Sequence, residues 1–320
     1  HTRFSGVTGV QTCALPIFGY RALAVNLSDL AAMGAAPRWY TLCLTLPAAE
    51  AAWLADFCDG LAEAAGTTGI SLVGGDTTRG PLCISVQILG TVKAGAALLR
   101  SGAAPGDGVY VTGTLGDAAG GLALIQAGGA GSAYLQRRFR RPSPRLREAG
   151  LLAGLASACI DISDGLLADL GHICDASAVA ASVQLPRLPL SDALLAAFPG
   201  QAQDFALAGG DDYELCFTVP PALTAALERR FGDAGCRCSR IGEIVAGLRA
   251  IIELIEELVL KGGGWGLFHG CAAGDTAMAV IWTAILAGSL LLVVGFARAG
   301  SVLFWKPAEL VAADAAGNGP

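Results

Sequence analysis

Short apolar runs and Ala-rich helical patterns alternate through residues 19–247, with glycine or proline at the turns between them. This alternation restricts that part of the chain to an α/β or α+β architecture. The patterns predict helices over residues 20–33, 48–65, 116–126, 145–158 and 163–174. They predict strands over residues 39–46, 70–73, 82–92, 109–112 and 214–219.

The composition excludes some classes of function. The 320 residues carry a net charge of −6 and no run of Lys or Arg, which argues against a nucleic-acid partner. Ten cysteines stand mostly alone in apolar runs, as buried thiols of a reducing cytosol do, and three scattered histidines argue against a zinc site. Only 15% of the residues are charged, against about 25% in soluble domains. The chain therefore holds either an Ala/Gly-rich core or a membrane segment.

The two ends of the chain differ from its middle. Residues 1–18 have no usable period, and Pro16 interrupts an apolar run that is too short for a signal peptide. Residues 248–258 have the apolar spacing of an amphipathic helix. Residues 276–297 carry no charge over 22 positions, which is enough to cross a bilayer as a helix, although a buried core helix has the same pattern.

Several aspartates follow apolar runs, each in a predicted turn or at a helix start. They are Asp29, Asp76, Asp161, Asp164, Asp211 and Asp212. Carboxylates delivered to one cleft are the ligands that Mg²⁺ prefers, together with phosphate oxygens. The neighbouring glycines at 74, 75, 209 and 210 allow the backbone to approach a phosphate. The alternative is ordinary capping chemistry, in which Asp161 or Ser163 caps the helix beginning at Gly165.

Two further features bear on phosphate binding. The sequence TGTLGDAAGG, residues 112–121, lies between a predicted strand and a predicted helix, where helix N-terminal amides can face an anion. It matches neither nucleotide-binding glycine motif, so a packing turn is the favoured interpretation. Arg100 follows a strand and precedes a Gly/Pro turn, which suits a phosphate contact and a solvated side chain equally well. His172 is interpreted as structural.

Several of these segments together resemble the thiamine-monophosphate kinases. The resemblance rests on motifs in the family's order: NLSDLAAMGA, GGDTTRG, LRSGAAPGDG, RRPSPR, DISDGL and GGDDYEL. It covers about residues 19–247 and implies a fold like that of aminoimidazole ribonucleotide synthetase, with α/β domains at 19–100 and 101–247. It implies transfer of the γ-phosphoryl group of ATP to thiamine monophosphate, giving thiamine diphosphate, by a Mg²⁺-dependent cytoplasmic homodimer.

The resemblance also implies roles for individual residues. The magnesium ligands of the family match Asp29, Asp76, Asp161 and Asp164. Its nucleotide contacts match Gly75, Arg100 and Ser163, and its substrate-binding glutamate, one methylene longer, matches Asp211. No general base or covalent nucleophile is expected, because phosphoryl transfer depends on positioning and on charge stabilisation.

The chain departs from the family at both ends. The acidic GDD and TDTL motifs that begin the family do not precede Gly19, and its GYDHF-like end does not follow Gly247. The sequence TGVQTCALPI, within residues 1–18, resembles a translated sequencing adapter. We therefore expect residues 1–18 to be foreign to the fold and to pack poorly. We also expect the N-terminal sheet to lack strands and this chain to be a weak or inactive enzyme.

Residues 248–320 are expected to be unrelated to the kinase part. The sequence TAILAGSLLLVVGFARAGSVLFWKP weakly resembles a subunit of a monovalent-cation/proton antiporter. Two alternatives to the kinase therefore stay open. One is another ATP-dependent enzyme of the same superfamily, and the other is an antiporter-associated chimera without activity, anchored in a membrane through residues 276–297.

Overall fold

The computed structural model describes residues 15–247 and 251–253. Residues 15–91 form a three-stranded sheet with two helices. In chain order the elements are α1 (Leu15–Ala32), β1 (Ala36–Leu46), α2 (Ala51–Thr68), β2 (Ser71–Arg79) and β3 (Cys83–Thr91).

Strand β1 lies at the centre of this N-terminal sheet, with β2 parallel on one side and β3 antiparallel on the other. Alternate residues of β1, among them Tyr40 and Leu44, pack against Leu23 of α1 and Phe57 of α2. The other face of β1 is largely exposed, and so is every residue of β2. Within the described residues, helices therefore cover one face of β1 and β3, whereas the opposite face of these strands and both faces of β2 are open.

Two glycines allow α1 and α2 to approach closely. A Cβ atom on Gly60 would lie 1.9 Å from the carbonyl oxygen of Pro16, and one on Gly19 would lie 2.0 Å from that of Phe57. A larger residue at either position would force the helices apart. The packed part of α1 thus includes Pro16, which lies inside the segment 1–18 that we expected to pack poorly. Residues 1–14 lie outside the described residues.

A second, larger sheet and its helices follow. The elements are β4 (Gly108–Thr112), α3 (Asp117–Gln126), α4 (Ala133–Arg140), α5 (Leu146–Leu152), β5 (Ala158–Asp161), α6 (Leu166–Ser177), β6 (Ala180–Gln184), α7 (Asp192–Ala197), α8 (Ala202–Ala208), β7 (Leu215–Val219), α9 (Thr224–Asp233), β8 (Cys238–Val245) and β9 (Ile251–Glu253).

The strands of this C-terminal sheet lie in the order β5, β7, β4, β8, β6, β9, and all pairs are antiparallel except β6 with β9. On one face Val111 packs in a core with Leu170 of α6. On the other face Tyr110 and Phe217 pack with Phe231 of α9. Strands β4, β5 and β7 are buried along their whole length, because both faces of the sheet are covered.

The sequence predictions differ from the structure in three places. GGDTTR, predicted as a turn, lies in β2 and pairs with β1. The helix predicted over 145–158 divides into α5 and the first residue of β5. Residues 251–253, predicted as helix, form β9, because pairing with β6 outweighs the local apolar spacing.

The predicted apolar helix at 276–297 lies outside the described residues. Among the helices of residues 15–247, none combines the length and the apolar character that a membrane span needs.

Candidate active site

Ser28 and Asp161 join the end of α1 to the end of β5. The Ser28 hydroxyl donates a hydrogen bond to Asp161 Oδ2 at 2.6 Å, and both side chains are buried. Asp29, the next residue of α1, lies close enough to Asp161 for the charge of Asp161 to raise its pKa. The structure therefore brings together two predicted magnesium ligands from distant parts of the chain.

The carboxylates at this junction repel one another. Burial raises the pKa of Asp29 to about 6, and the charge of Asp161 adds to the effect. Burial also raises the pKa of Asp161, although the Ser28 hydrogen bond lowers it, and the charge of Asp164 raises it again. The positive charge of Arg100 lowers the pKa of both Asp29 and Asp161. A cation in this cleft would relieve the repulsion among the three carboxylates.

Asp169 organises the loop that carries Asp164. Its Oδ2 atom accepts hydrogen bonds from the backbone amides of Ser163, Asp164 and Gly165 at 2.9, 3.0 and 3.1 Å. Helix α6 begins after Gly165 without a side-chain cap, so the suggested capping by Asp161 or Ser163 was wrong. Burial raises the pKa of Asp169 to about 6. The sequence analysis missed this residue, although an acidic side chain in the first helical turn is a usable signal.

The loop that carries Asp211 lies against the DISDGL loop. The amides of Asp211 and Tyr213 donate to the carbonyl oxygens of Ser163 and Ile162 at 2.9 and 2.8 Å. Asp211 and Tyr213 have left-handed backbones, with φ angles of 68° and 51°. Arg21 of α1 binds the Asp211 carboxylate at 2.9 Å. The predicted substrate-binding carboxylate is therefore held beside the loop that carries two of the predicted metal ligands.

The carboxylate of Asp212 occupies the N-terminus of α3. Its oxygens accept hydrogen bonds from the amides of Gly116 and Ala118 at 2.7 and 3.3 Å. Burial raises the pKa of Asp212 to about 8, although the hydrogen bonds from these amides lower it. Because Asp212 binds the amides, they do not face a phosphate, and the packing turn favoured for residues 112–121 is confirmed.

Glu214 connects the same loop to two arginines in a buried network. Arg138 Nη2 donates to Glu214 Oε1 at 2.7 Å, and Arg145 Nε donates to Oε2 at 2.6 Å. The Thr112 hydroxyl donates to Oε2 at 2.7 Å. A Cβ atom on Gly113 would lie 2.3 Å from Oε1, so glycine is required there. This network holds the loop that carries Glu214 in place. No role was predicted for it from the sequence.

Gly75 and Asp76 lie on β2, in the N-terminal sheet. A Cβ atom on Gly75 would lie 1.8 Å from the carbonyl oxygen of Leu42, so the close pairing of β1 with β2 requires glycine. Asp76 is exposed, and its carboxylate accepts a hydrogen bond from the Thr77 amide at 2.8 Å. Within the described residues, no contact joins Asp76 to the carboxylates around Asp29.

Comparison with known proteins shows the family. Residues 7–92 match the N-terminal domain of AIR synthase related proteins, and residues 104–255 match the C-terminal domain. The thiamine-monophosphate kinase of Escherichia coli K12 is 50% identical over 238 residues, which cover 72% of this chain and 73% of that enzyme. The enzyme of Haemophilus influenzae is 44% identical over 230 residues, 70% of each chain.

The chain belongs to the thiamine-monophosphate kinases. The function predicted from the motifs, an ATP-dependent phosphotransferase acting on thiamine monophosphate, is confirmed, and so is the two-domain AIR synthase-like fold.

Solved structures agree with this assignment. The thiamine-monophosphate kinase of Stenotrophomonas maltophilia K279a is 46% identical, with a TM-score of 0.71 over 75% of this chain and 79% of that one. AaThiL, solved in complex with AMPPCP and TMP, is 30% identical, with a TM-score of 0.68 over 75% and 78%. The hydrogenase maturation protein HypE of E. coli, 21% identical with a TM-score of 0.63, shares the fold alone.

The carboxylate cluster of this kinase suits magnesium that is shared with a phosphate. Within the described residues, no three His, Cys, Asp or Glu side chains are arranged to hold a metal ion by themselves. Mg²⁺ keeps several waters and binds proteins through one or two carboxylates together with substrate phosphates. The donor set at the α1–β5 junction therefore fits an ion whose coordination a nucleotide completes.

Proposed function

We propose that Asp29, Asp161 and Asp164 hold Mg²⁺ while this kinase transfers the γ-phosphoryl group of ATP to thiamine monophosphate. The observation that supports this is the meeting of Asp29 and Asp161 at the α1–β5 junction, beside Arg100 and Asp164. The ion would offset the charge that develops on the transferring phosphoryl group. The protein would contribute positioning and electrostatic stabilisation.

Arg100 and Ser163 are the proposed nucleotide contacts at this junction. The charge of Arg100 acts on Asp29 and Asp161, which supports a position near the cleft for this exposed residue. Ser163 belongs to the loop that Asp169 fixes. Gly75 and Asp76 complete the proposed set from β2. Asp76 is the more demanding case, because its carboxylate is exposed and apart from the others.

The proposal is tested by ADP release from ATP with thiamine monophosphate, in the presence and absence of Mg²⁺. Two chains are compared: the one described here, and one in which the family's GDD and TDTL segment replaces residues 1–18. In the second chain Asp161→Asn should lower kcat/KM by about 100-fold or more, equivalent to about 2.7 kcal/mol of transition-state stabilisation. Absence of turnover in the second chain, before any substitution, would refute the proposal.

A thermal-shift comparison then identifies the substrate class. Thiamine monophosphate should raise the unfolding temperature of the chain in the presence of Mg²⁺ and a nonhydrolysable ATP analogue, by mass action on the folded state. Purine intermediates at equal concentration should not. The reverse result would favour another enzyme of the AIR synthase-related group.

We also propose a homodimer formed through the open face of the N-terminal sheet. Large apolar side chains are exposed there: Trp39 is 48% exposed and Leu89, its neighbour on β3, is 41% exposed. On β2, Leu72 and Val73 are more than half exposed, and their side chains point to opposite faces of the sheet. Contiguous apolar surface of this kind is typical of interfaces between proteins.

The free state of the eight described cysteines favours action in a reducing compartment, for which we propose the cytoplasm.

A further inference from the structure

Arg21 joins α1 to the loop that carries Asp211, across 190 positions of the sequence. Its Nη2 atom binds Asp211 Oδ1 at 2.9 Å, and its Nη1 atom donates to the carbonyl oxygen of Phe139. The guanidinium carbon lies 4.6 Å from the centre of the Phe139 ring. The side chain of Arg21 is 20% exposed and that of Asp211 is 31% exposed. The guanidinium is therefore held at several points, unlike that of a solvated surface arginine.

The Asp211 carboxylate receives its two donors on one oxygen. The Tyr213 hydroxyl donates to Oδ1 at 3.0 Å, and Arg21 binds the same atom. Within the described residues, no donor binds Oδ2. A carboxylate fixed through one oxygen keeps the other available as an acceptor.

The backbone around Asp211 is fixed by other contacts. The Asp211 amide donates to Ser163 and the Tyr213 amide to Ile162, and both residues have left-handed φ angles, which cost free energy in residues other than glycine. Asp212 binds the N-terminus of α3, and Glu214 binds the two buried arginines. In this segment it is the orientation of the Asp211 side chain, and not the backbone, that depends on Arg21 and Tyr213.

From this arrangement we infer that Arg21 is a positioning residue, which holds Asp211 Oδ1 so that Oδ2 accepts a hydrogen bond from the amino group of thiamine monophosphate. The inference rests on a role of Asp211 in substrate binding, which we propose from its match to the family's substrate-binding glutamate. Arg21 lies on α1 only two turns before Asp29, so the same helix would set the substrate-binding carboxylate and a metal ligand. Arg21 would thereby keep the two phosphates in register without touching either substrate.

The test compares Arg21→Met, Arg21→Lys and Asp211→Asn by calorimetric titration with thiamine monophosphate, in the presence of Mg²⁺ and a nonhydrolysable ATP analogue. Arg21→Met and Asp211→Asn should each weaken binding by about tenfold, and the double variant by far less than the product, because both remove one interaction. Arg21→Lys should restore part of the affinity. Affinity for the ATP analogue should change less than about twofold in all of them.

Arg141→Met is the matched control. Arg141 binds Glu63, and its guanidinium carbon lies 5.1 Å from the centre of the Tyr20 ring, so it makes the same two kinds of contact away from Asp211. This variant should bind thiamine monophosphate like the parent chain. Independent, multiplicative effects of Arg21→Met and Asp211→Asn would overturn the inference, and so would an equal loss of affinity for thiamine monophosphate and nucleotide.

A measurement without ligand separates this inference from the proposed function. Side-chain NMR couplings of Asp211 should show more than one rotamer in Arg21→Met and a single rotamer in the parent and in Arg141→Met, while exchange of the Asp211 and Tyr213 amides stays unchanged in both variants. A parent chain that binds no thiamine monophosphate would contradict the proposed function alone. A single, unchanged rotamer of Asp211 in Arg21→Met would overturn the positioning role whether or not the ligand binds.

Discussion

The two sheets of this kinase differ in how their faces are covered, and the carboxylates they carry differ accordingly. Strands β4, β5 and β7 of the C-terminal sheet are buried along their whole length, whereas every residue of β2 in the N-terminal sheet is exposed. Asp161, at the end of β5, is buried and bound by Ser28. Asp76, on β2, is exposed, and within residues 15–247 its carboxylate accepts a hydrogen bond from the adjacent amide alone. A covered sheet thus holds its functional groups in fixed positions, and an open one needs a further surface to do so.

The largest expected effect comes from a large side chain in the covered sheet. Phe217 is fully buried, with its ring centre 5.7 Å from that of Tyr110 and 6.1 Å from that of Phe231. Phe217→Ala should lower the free energy of unfolding by about 3–5 kcal/mol, because it loses buried area and leaves a cavity. Leu89→Ala on the open sheet should cost about 0.5 kcal/mol. Urea unfolding followed by circular dichroism measures both, and equal losses would contradict the comparison.

A second contrast concerns ion pairs. Glu214→Gln should lower the free energy of unfolding by about 3–5 kcal/mol, because it leaves Arg138 and Arg145 with only the longer pairs to Asp117 and Glu148, at 3.7 and 3.8 Å. Glu63→Gln, which removes the exposed pair with Arg141, should cost about 0–1 kcal/mol. Both are measured by urea unfolding at neutral pH. A loss below about 1 kcal/mol for Glu214→Gln would mean that the buried network does not hold the loop.

The same contrast explains what the sequence alone could predict. Strands β1, β3, β4 and β7 were predicted to within three residues at either end, because their short apolar runs between turn residues are typical of strands. The extent of β2 was not predicted. The sequence GGDTT is typical of a turn and becomes a strand only through pairing with β1. Local propensity gives way there to a tertiary contact, the close approach of Gly75 to Leu42.

The candidate site divides in the same way. Asp29 and Asp161 could be predicted because each follows an apolar run in a recognisable motif. Ser28 and Arg21 could not, because their roles depend on hydrogen bonds that form only in the folded chain. Ser28 reaches Asp161 across 133 positions, a distance at which composition and spacing carry no information about contact.

The pH dependence of stability tests the electrostatic side of the comparison. Burial raises the pKa of Asp29 to about 6, from an ordinary value near 4. Between about pH 4 and pH 6 the unfolded chain has released this proton and the folded chain retains it, so the stability of the metal-free protein falls as the pH rises. Asp29→Asn removes this contribution and should flatten the curve in that window.

Unfolding midpoints recorded from about pH 4 to pH 8 with a chelator present measure this effect. Above about pH 6 the Asp29→Asn variant should be more stable than the parent, because it lacks the cost of burying an ionised carboxylate and, in addition, the repulsion from Asp161. Asp76→Asn, on the open sheet, is the control and should keep the slope of the parent. Superimposable curves for Asp29→Asn and the parent would show that the carboxylates at the α1–β5 junction do not interact.

The smallest expected change in stability comes from a substitution on the open face of the N-terminal sheet. The same substitution tests what covers that face. Trp39→Ser should alter the free energy of unfolding of the isolated chain by about 0.5 kcal/mol or less, because the side chain is already half exposed. If a second copy covers the sheet, the same change should weaken self-association by about tenfold or more in sedimentation velocity. Leu195→Ser, at an exposed apolar position on α7, should leave association unchanged. A monomeric parent chain would assign the cover to another surface, and Asp76 would then depend on that surface for its position.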